Sequence, residues 1–358
     1  MKLPDRGLDK SNYGRVLTRQ AGTTGWALCV GAGISKGAFP QWRDLVKSLI
    51  RRDGSVSRPN SLLRKLSASF AYDALIQASK DRLRLDDEAF VDLLSDLLYE
   101  RLRKKARGKW GLVATALTAA SPGPLTQGEW VEFLALIQKL FPKLSALRIA
   151  EAIAPVMGGP KAPTAILSFN AEPMLYALIH ANVAAGAHPG GRLKDLRILD
   201  RLTRGISFRR PGHVPYIFCH GLLPIDGGIP TFAKTVARGN LVFSEGDYLR
   251  LANSAFSWQS ALFLGTAVMR STVFIGLSFS DPNLRRWLAW IHASKRRELT
   301  NKRKGGEPYG HYWIRPKETD PIFNRWIEAS VRHLGVRLVW LEDWAELGPC
   351  LHAMLSGS

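Results

Sequence analysis

The chain has 358 residues, 46% of them hydrophobic, with a formal net charge of +20. It is long enough for one large domain, or a core domain with a substantial insertion, and it can bury a real core. No apolar run approaches the ~20 residues that a bilayer-spanning helix needs. Its three cysteines, Cys29, Cys219 and Cys350, cannot build a four-cysteine zinc site.

The charge invites a nucleic-acid partner, because clustered Lys and Arg neutralise phosphates and release counterions. The densest run, Lys295-Arg296-Arg297 followed by Lys302-Arg303-Lys304-Gly305-Gly306, reads as an exposed loop beyond a helix. No helix-turn-helix, zinc-finger or RNA-recognition signature accompanies it. A negatively charged partner protein or an anionic dinucleotide would be attracted equally well.

In chain order, Met1 to Gln20 carries charges throughout and lacks the apolar core of a signal peptide, so the expected location is the cytoplasm. Trp26-Ala27-Leu28-Cys29-Val30 reads as a buried strand feeding the tight turn Gly31-Ala32-Gly33. From about Trp42 to Gly159 the helical period takes over. Phe90, Val91, Leu94, Leu97, Leu98 and Leu102 fall on one helix face, with Asp86 and Asp87 at its start and Arg103, Lys104 and Lys105 at its end, as the helix dipole prefers. A second helix starts at a capping box, Thr126 to Glu129, and stops at Pro142; a third covers Leu144 to Ala154. These apolar stripes are assigned to the core and given no chemistry.

After Pro163, short apolar strands alternate with helices, the pattern of a parallel α/β sheet. The strands are expected at 165–167, 216–218, 241–243, 272–275, 312–314 and 336–340. Their apolarity is continuous, as suits strands covered on both faces. The fold class is therefore α/β: a Rossmann-like parallel sheet flanked by helices, built from residues 1–45 and 160–358, with 46–159 a helical insertion domain.

Polar clusters follow these strands, at the edge where open α/β sheets bind ligands. Gly31-Ala32-Gly33-Ile34-Ser35 is a turn whose glycines would let backbone approach a pyrophosphate, with amides at the following helix start as donors. By itself it is weak evidence, because Gly37 misses the usual third-glycine position by one residue. Ala165 to Leu167 runs into Ser168-Phe169-Asn170-Ala171-Glu172, and Tyr216 to Cys219 into His220-Gly221. Thr272 to Ile275 runs into Gly276-Leu277-Ser278-Phe279-Ser280-Asp281-Pro282. Taken singly, Asn170 reads as a turn residue and His220 as a satisfied histidine. Asp281-Pro282 reads first as a helix N-cap with a first-turn proline, and second as a ribose contact.

Together these blocks resemble the sirtuin superfamily, and within it the bacterial sirtuin-like branch found in defence against phage. Gly31 to Ser35, with Phe39-Pro40-Gln41-Trp42-Arg43-Asp44-Leu45, resembles the family's dinucleotide loop and its downstream segment. Ser168 to Glu172 resembles the threonine-phenylalanine-asparagine-tyrosine-aspartate block, and His220-Gly221 the catalytic histidine-glycine pair. Leu241 to Tyr248 and Gly276 to Leu284 are similar to the branch's later signatures. Glu172 stands where the family usually has aspartate.

The resemblance implies NAD⁺ as substrate, with Asn170 and His220 catalytic. It places Gly31, Ala32, Gly33, Ser35, Glu172, Gly276, Ser278 and Asp281 around the dinucleotide. It implies an NAD⁺ hydrolase that releases nicotinamide and ADP-ribose, without the zinc module of the protein-deacetylating sirtuins, and hence no metal. Two alternatives stay open: ADP-ribosyl transfer or deacylation by the same residues, and a non-catalytic nucleic-acid- or partner-binding subunit. A homo-oligomer is expected, and a hexameric DNA-translocating ATPase is a candidate partner, since such an enzyme must be silenced in its own cell.

Overall fold

The computed structural model describes residues 7–10, 13, 25–187, 193–205, 210–230, 232, 241–253, 257–300 and 310–356. Seven parallel strands form one sheet: β1 (Trp26–Val30), β2 (Ala165–Ser168), β3 (Leu199–Leu202), β4 (Val214–Phe218), β5 (Ser271–Ile275), β6 (His311–Pro316) and β7 (Val336–Leu341). Their spatial order is β3-β4-β2-β1-β5-β6-β7, so β2 to β4 lie on one side of β1, with β4 inserted between β2 and the edge strand β3, and β5 to β7 follow in order on the other.

The strand period of two sorts side chains onto two cores. Trp26, Leu28 and Val30 of β1 join Ile166, Tyr216, Phe218, Val273 and Ile275 in a core that includes the helices between β1 and β2. Ala27 and Cys29 point to the opposite face, with Leu167, Ile217 and Phe274. All five residues of β1 are fully buried, which is why its apolarity does not alternate.

The helices between β1 and β2 start where local chemistry places them. Asp86 Oδ1 accepts from Ala89 N (2.8 Å) and caps helix Asp87–Ala106. Thr126 and Glu129 form the reciprocal capping box of helix Gln127–Leu140. Helix Ser145–Ile153 follows, and all three lie within two residues of their expected bounds.

Three expectations are corrected. Residues 241–243 form no strand. Their side chains are buried, Val242 N donates to His220 O (3.2 Å) just beyond the end of β4, and the segment leads into helix Glu245–Asn253. Conversely, β3 lies at a sheet edge with Asp200 and Arg201 in its middle, a charged pattern that does not read as a covered strand. Asp200 is accommodated there because its carboxylate accepts from Arg210 N (2.7 Å) and meets His213 Nδ1 (3.1 Å). Finally, Lys295-Arg296-Arg297 belongs to helix Pro282–Thr300, whose buried face of Leu284, Trp287, Leu288 and Ile291 leads into it. Residues 302–306, the rest of that basic run, lie outside the described residues. Among the described residues no helix is long and apolar enough to cross a membrane.

Candidate functional site

The parallel register brings four strand ends to one level. Val30 pairs with Ser168 on one side and Ile275 on the other, and Ser168 pairs with Phe218. One residue later, Phe169 N donates to Val30 O (2.9 Å), Cys219 N to Ser168 O (2.8 Å) and Gly31 N to Ile275 O (3.0 Å). The exits of β1, β2, β4 and β5 therefore emerge side by side.

Between the exits of β1, β2 and β4 lies a cavity of about 490 Å³, counted with its open mouth. Ala32 and Ser35 line it from the first loop, Phe169 to Glu172 from the second, and His220 from the third. Phe39, Pro40, Trp42, Leu45, Leu98 and Phe243 complete an apolar wall. The Trp42 and Phe243 rings meet at 5.6 Å.

Glu172 connects the loops. Its Oε1 accepts from Ser35 Oγ (2.6 Å) and Asn170 Nδ2 (3.0 Å), and its Oε2 accepts from Met174 N (2.6 Å) at the start of helix α1 (Met174–Ala185). Burial pushes its carboxyl up to about 7, against the lowering effect of those three hydrogen bonds. Asn170 is 5% exposed, and its Oδ1 has no hydrogen-bond partner among the described residues.

His220 reaches the same pocket through a turn in which Gly221 N donates to Phe218 O (3.0 Å) and Gly221 takes φ +75°. That left-handed backbone is the physical reason for glycine after the histidine. The imidazole lies between the rings of Phe169 (5.0 Å) and Tyr248 (5.5 Å), both edge-on. Burial pushes its pKa down to about 4, opposed by the Asp281 charge and by a hydrogen bond to the Phe169 main chain. The ring is therefore neutral near pH 7. Its Nε2 has no hydrogen-bond partner among the described residues, and when the other nitrogen holds the proton Nε2 carries the lone pair. Buried polar atoms without partners are uncommon and call for an explanation. Here two of them, both acceptors, belong to residues of one cavity.

The remaining residues expected around the dinucleotide divide differently. Gly31, Gly33 and Gly276 are where the exits of β1 and β5 pack against each other, and Gly33 N donates to Gly276 O (2.9 Å). A Cβ at Gly33 would lie 2.8 Å from Gly276 O, and one at Gly276 would lie 2.6 Å from Ile34 N. The glycines thus serve loop-on-loop contact, and the Gly31 and Gly33 amides are already engaged by β5. The helix after this turn is only the short 3₁₀ segment Ala32–Ser35.

Ser278 is exposed and hydrogen-bonds Ser280 (Oγ to Oγ, 2.6 Å). Asp281 caps helix Pro282–Thr300 by accepting from Asn283 N (2.8 Å). Neither lines the cavity, although the Asp281 charge is felt at His220. The apolar wall was the part missed from the sequence. Leu98 was read only as core, and the adjacency of Phe39 to Trp42 behind the glycine turn was the available signal.

Among the described residues no group of three or more His, Cys, Asp or Glu could hold a metal ion, and Cys29, Cys219 and Cys350 are buried and unpaired. No curated protein matches the chain. Residues 210–334 match the family model described as a SIR2-like domain, a class that implies NAD use, and the match takes in His220, Gly276, Ser278 and Asp281. The chain is thus similar to a SIR2-like domain over residues 210–334, on an α/β sheet whose strand ends gather Ser35, Asn170, Glu172 and His220 around one cavity.

Proposed function

We propose that the protein is an NAD⁺ hydrolase that breaks the bond between nicotinamide and ribose, acting in anti-phage defence by NAD⁺ depletion. The observation that carries this reading is the pair of unpartnered acceptors, Asn170 Oδ1 and His220 Nε2, on one mostly apolar cavity. Two acceptors suit a ligand that brings donors, as ribose hydroxyls and an attacking water do. The apolar wall of Phe39, Trp42, Leu98 and Phe243 suits a flat ring such as nicotinamide.

In the reaction, the electron pair of the C–N bond moves to the pyridinium nitrogen and neutral nicotinamide departs. The ribose is left with oxocarbenium character, and water adds to it. Asn170 Oδ1 orients the water or a ribose hydroxyl, and His220 Nε2 takes the proton that water loses, for which a neutral imidazole is suited. The dinucleotide phosphates are assigned to the first loop through Ala32 and Ser35, its two members on the cavity. The products are nicotinamide, ADP-ribose and a proton.

Such an activity requires silencing, by homo-oligomer assembly or by a partner such as a hexameric DNA-translocating ATPase. The test is nicotinamide release from NAD⁺ by the purified protein, alone and with the products of neighbouring genes. Free ADP-ribose in equal amount supports hydrolysis, whereas ADP-ribose attached to protein means transfer. No nicotinamide under any of these conditions, with salt-sensitive DNA binding, would replace the enzyme by a binding subunit.

A further inference from the structure

Asn170 has two polar ends, one of which is left for a ligand. Nδ2 donates to Glu172 Oε1 (3.0 Å), so Oδ1 is the end that remains. Glu172 makes that choice in its ionised form, which prevails above about pH 7, because a carboxylate can only accept. Its two oxygens have separate duties. Oε2 accepts from Met174 N and so satisfies the first amide of α1, from the residue before its N-cap Pro173. Oε1 accepts from Ser35 and Asn170, and both of these donors line the cavity. Satisfying that amide gives no reason for the second set of bonds.

We propose that Glu172 is a positioning residue that sets the polarity of the site, its Oε1 turning the Asn170 amide so that an acceptor and not a donor is offered to the substrate. The inference rests on the reading of the cavity as an NAD⁺ hydrolase site and names what holds its acceptor pair in place.

An isosteric change at Glu172 should reverse that polarity. In Glu172→Gln, Met174 N–H can only donate, so the new amide oxygen stays on it and the new NH₂ takes the place of Oε1. Ser35 Oγ can accept instead of donating, so that contact and the bond to Met174 N survive. Asn170 must then give its Oδ1 to the NH₂ and present Nδ2 to the cavity. Nicotinamide release should fall about 10²-fold, through kcat more than KM, with the melting temperature near that of the wild type.

Polarity can be restored from the other side. Combining Asn170→Asp with Glu172→Gln lets one carboxylate oxygen accept from the new amide while the other faces the cavity. This double variant should recover at least about tenfold over Glu172→Gln alone, a coupling that a purely structural role would not produce. Wild-type turnover in folded Glu172→Gln, or no recovery in the double variant, overturns the proposal.

A second measurement does not depend on turnover. The Asn170 side-chain amide protons, assigned by their loss in Asn170→Ala, should exchange slowly with D₂O in the wild type and faster in Glu172→Gln. Equal exchange overturns the positioning role. If the wild type releases no nicotinamide yet the exchange rates differ as expected, the NAD⁺ reading falls and the positioning role stands.

Discussion

Two halves of the same rim behave in opposite ways. At the exits of β1 and β5, Gly31, Gly33 and Gly276 let two loops touch, and the Gly31 and Gly33 amides are satisfied by carbonyls of the neighbouring exit. At the exits of β2 and β4, Asn170 and His220 are buried, yet each keeps one acceptor without a partner among the described residues. Both halves look like ligand-binding loops in the sequence. The difference is whether folding itself satisfies their polar groups: the Gly31 and Gly33 amides of the first half are engaged by the fold, and the acceptors of the second are left for something else to complete.

The largest expected effect lies in the second half. Asn170→Ala should lower nicotinamide release by at least about 10²-fold, in line with lost electrostatic donors or acceptors elsewhere. His220→Ala should cost on the order of 10²- to 10⁴-fold. Both proteins should melt close to the wild type, and the double variant should be little worse than the poorer single one. Full turnover in both folded variants would remove the distinction between the halves.

In the first half the damage should fall on stability. Gly276→Ala forces a side chain onto φ +71° with its Cβ 2.6 Å from Ile34 N. A loss on the order of 1–3 kcal/mol is expected in denaturant unfolding, while the fraction that remains folded turns over normally. Normal stability with lost turnover would instead make these glycines part of the chemistry.

The second half should also carry a pH signature of two signs. The Glu172 carboxyl is raised from 4.5 to about 7, so the folded state holds its proton more tightly. That contribution is complete below 4.5 and is lost as pH rises through 7. His220 is lowered from 6.5 to about 4, so its contribution is complete above 6.5 and is lost as pH falls towards 4. Melting curves across pH should show Glu172→Gln gaining on the wild type between pH 4.5 and 7. His220→Asn should gain as pH falls from 6.5 to 4. Parallel profiles for all three proteins would mean that neither burial is felt in solution.

The smallest expected effect is that of metal removal. Chelator should leave both the melting curve and nicotinamide release unchanged, and a stoichiometric zinc lost with folding would reopen a metal-supported architecture.

Much of the fold was legible because its signals are local. Trp26 to Val30 is apolar at every position because β1 is covered on both faces, and Asp86, Thr126 and Asp281 sit where helices need side-chain caps. Other elements obey contacts that sequence spacing does not carry. Residues 241–243 have the apolarity of a strand but form none, and β3 pairs with β4 despite the charges of Asp200 and Arg201.

The site divides along the same line. The sequence by itself determined which residue types follow each strand, because a parallel sheet delivers every strand exit to one edge and the turns there need particular residues, such as Gly221 after His220. Only the tertiary structure decided which polar atoms remain unpaired. Ser35 and Glu172 are 137 positions apart in the chain, and their hydrogen bond, with that of Asn170, exists only once the register of β1, β2 and β4 is set. Satisfaction of a polar group depends on its neighbours in space, and at this rim those neighbours come from distant parts of the chain.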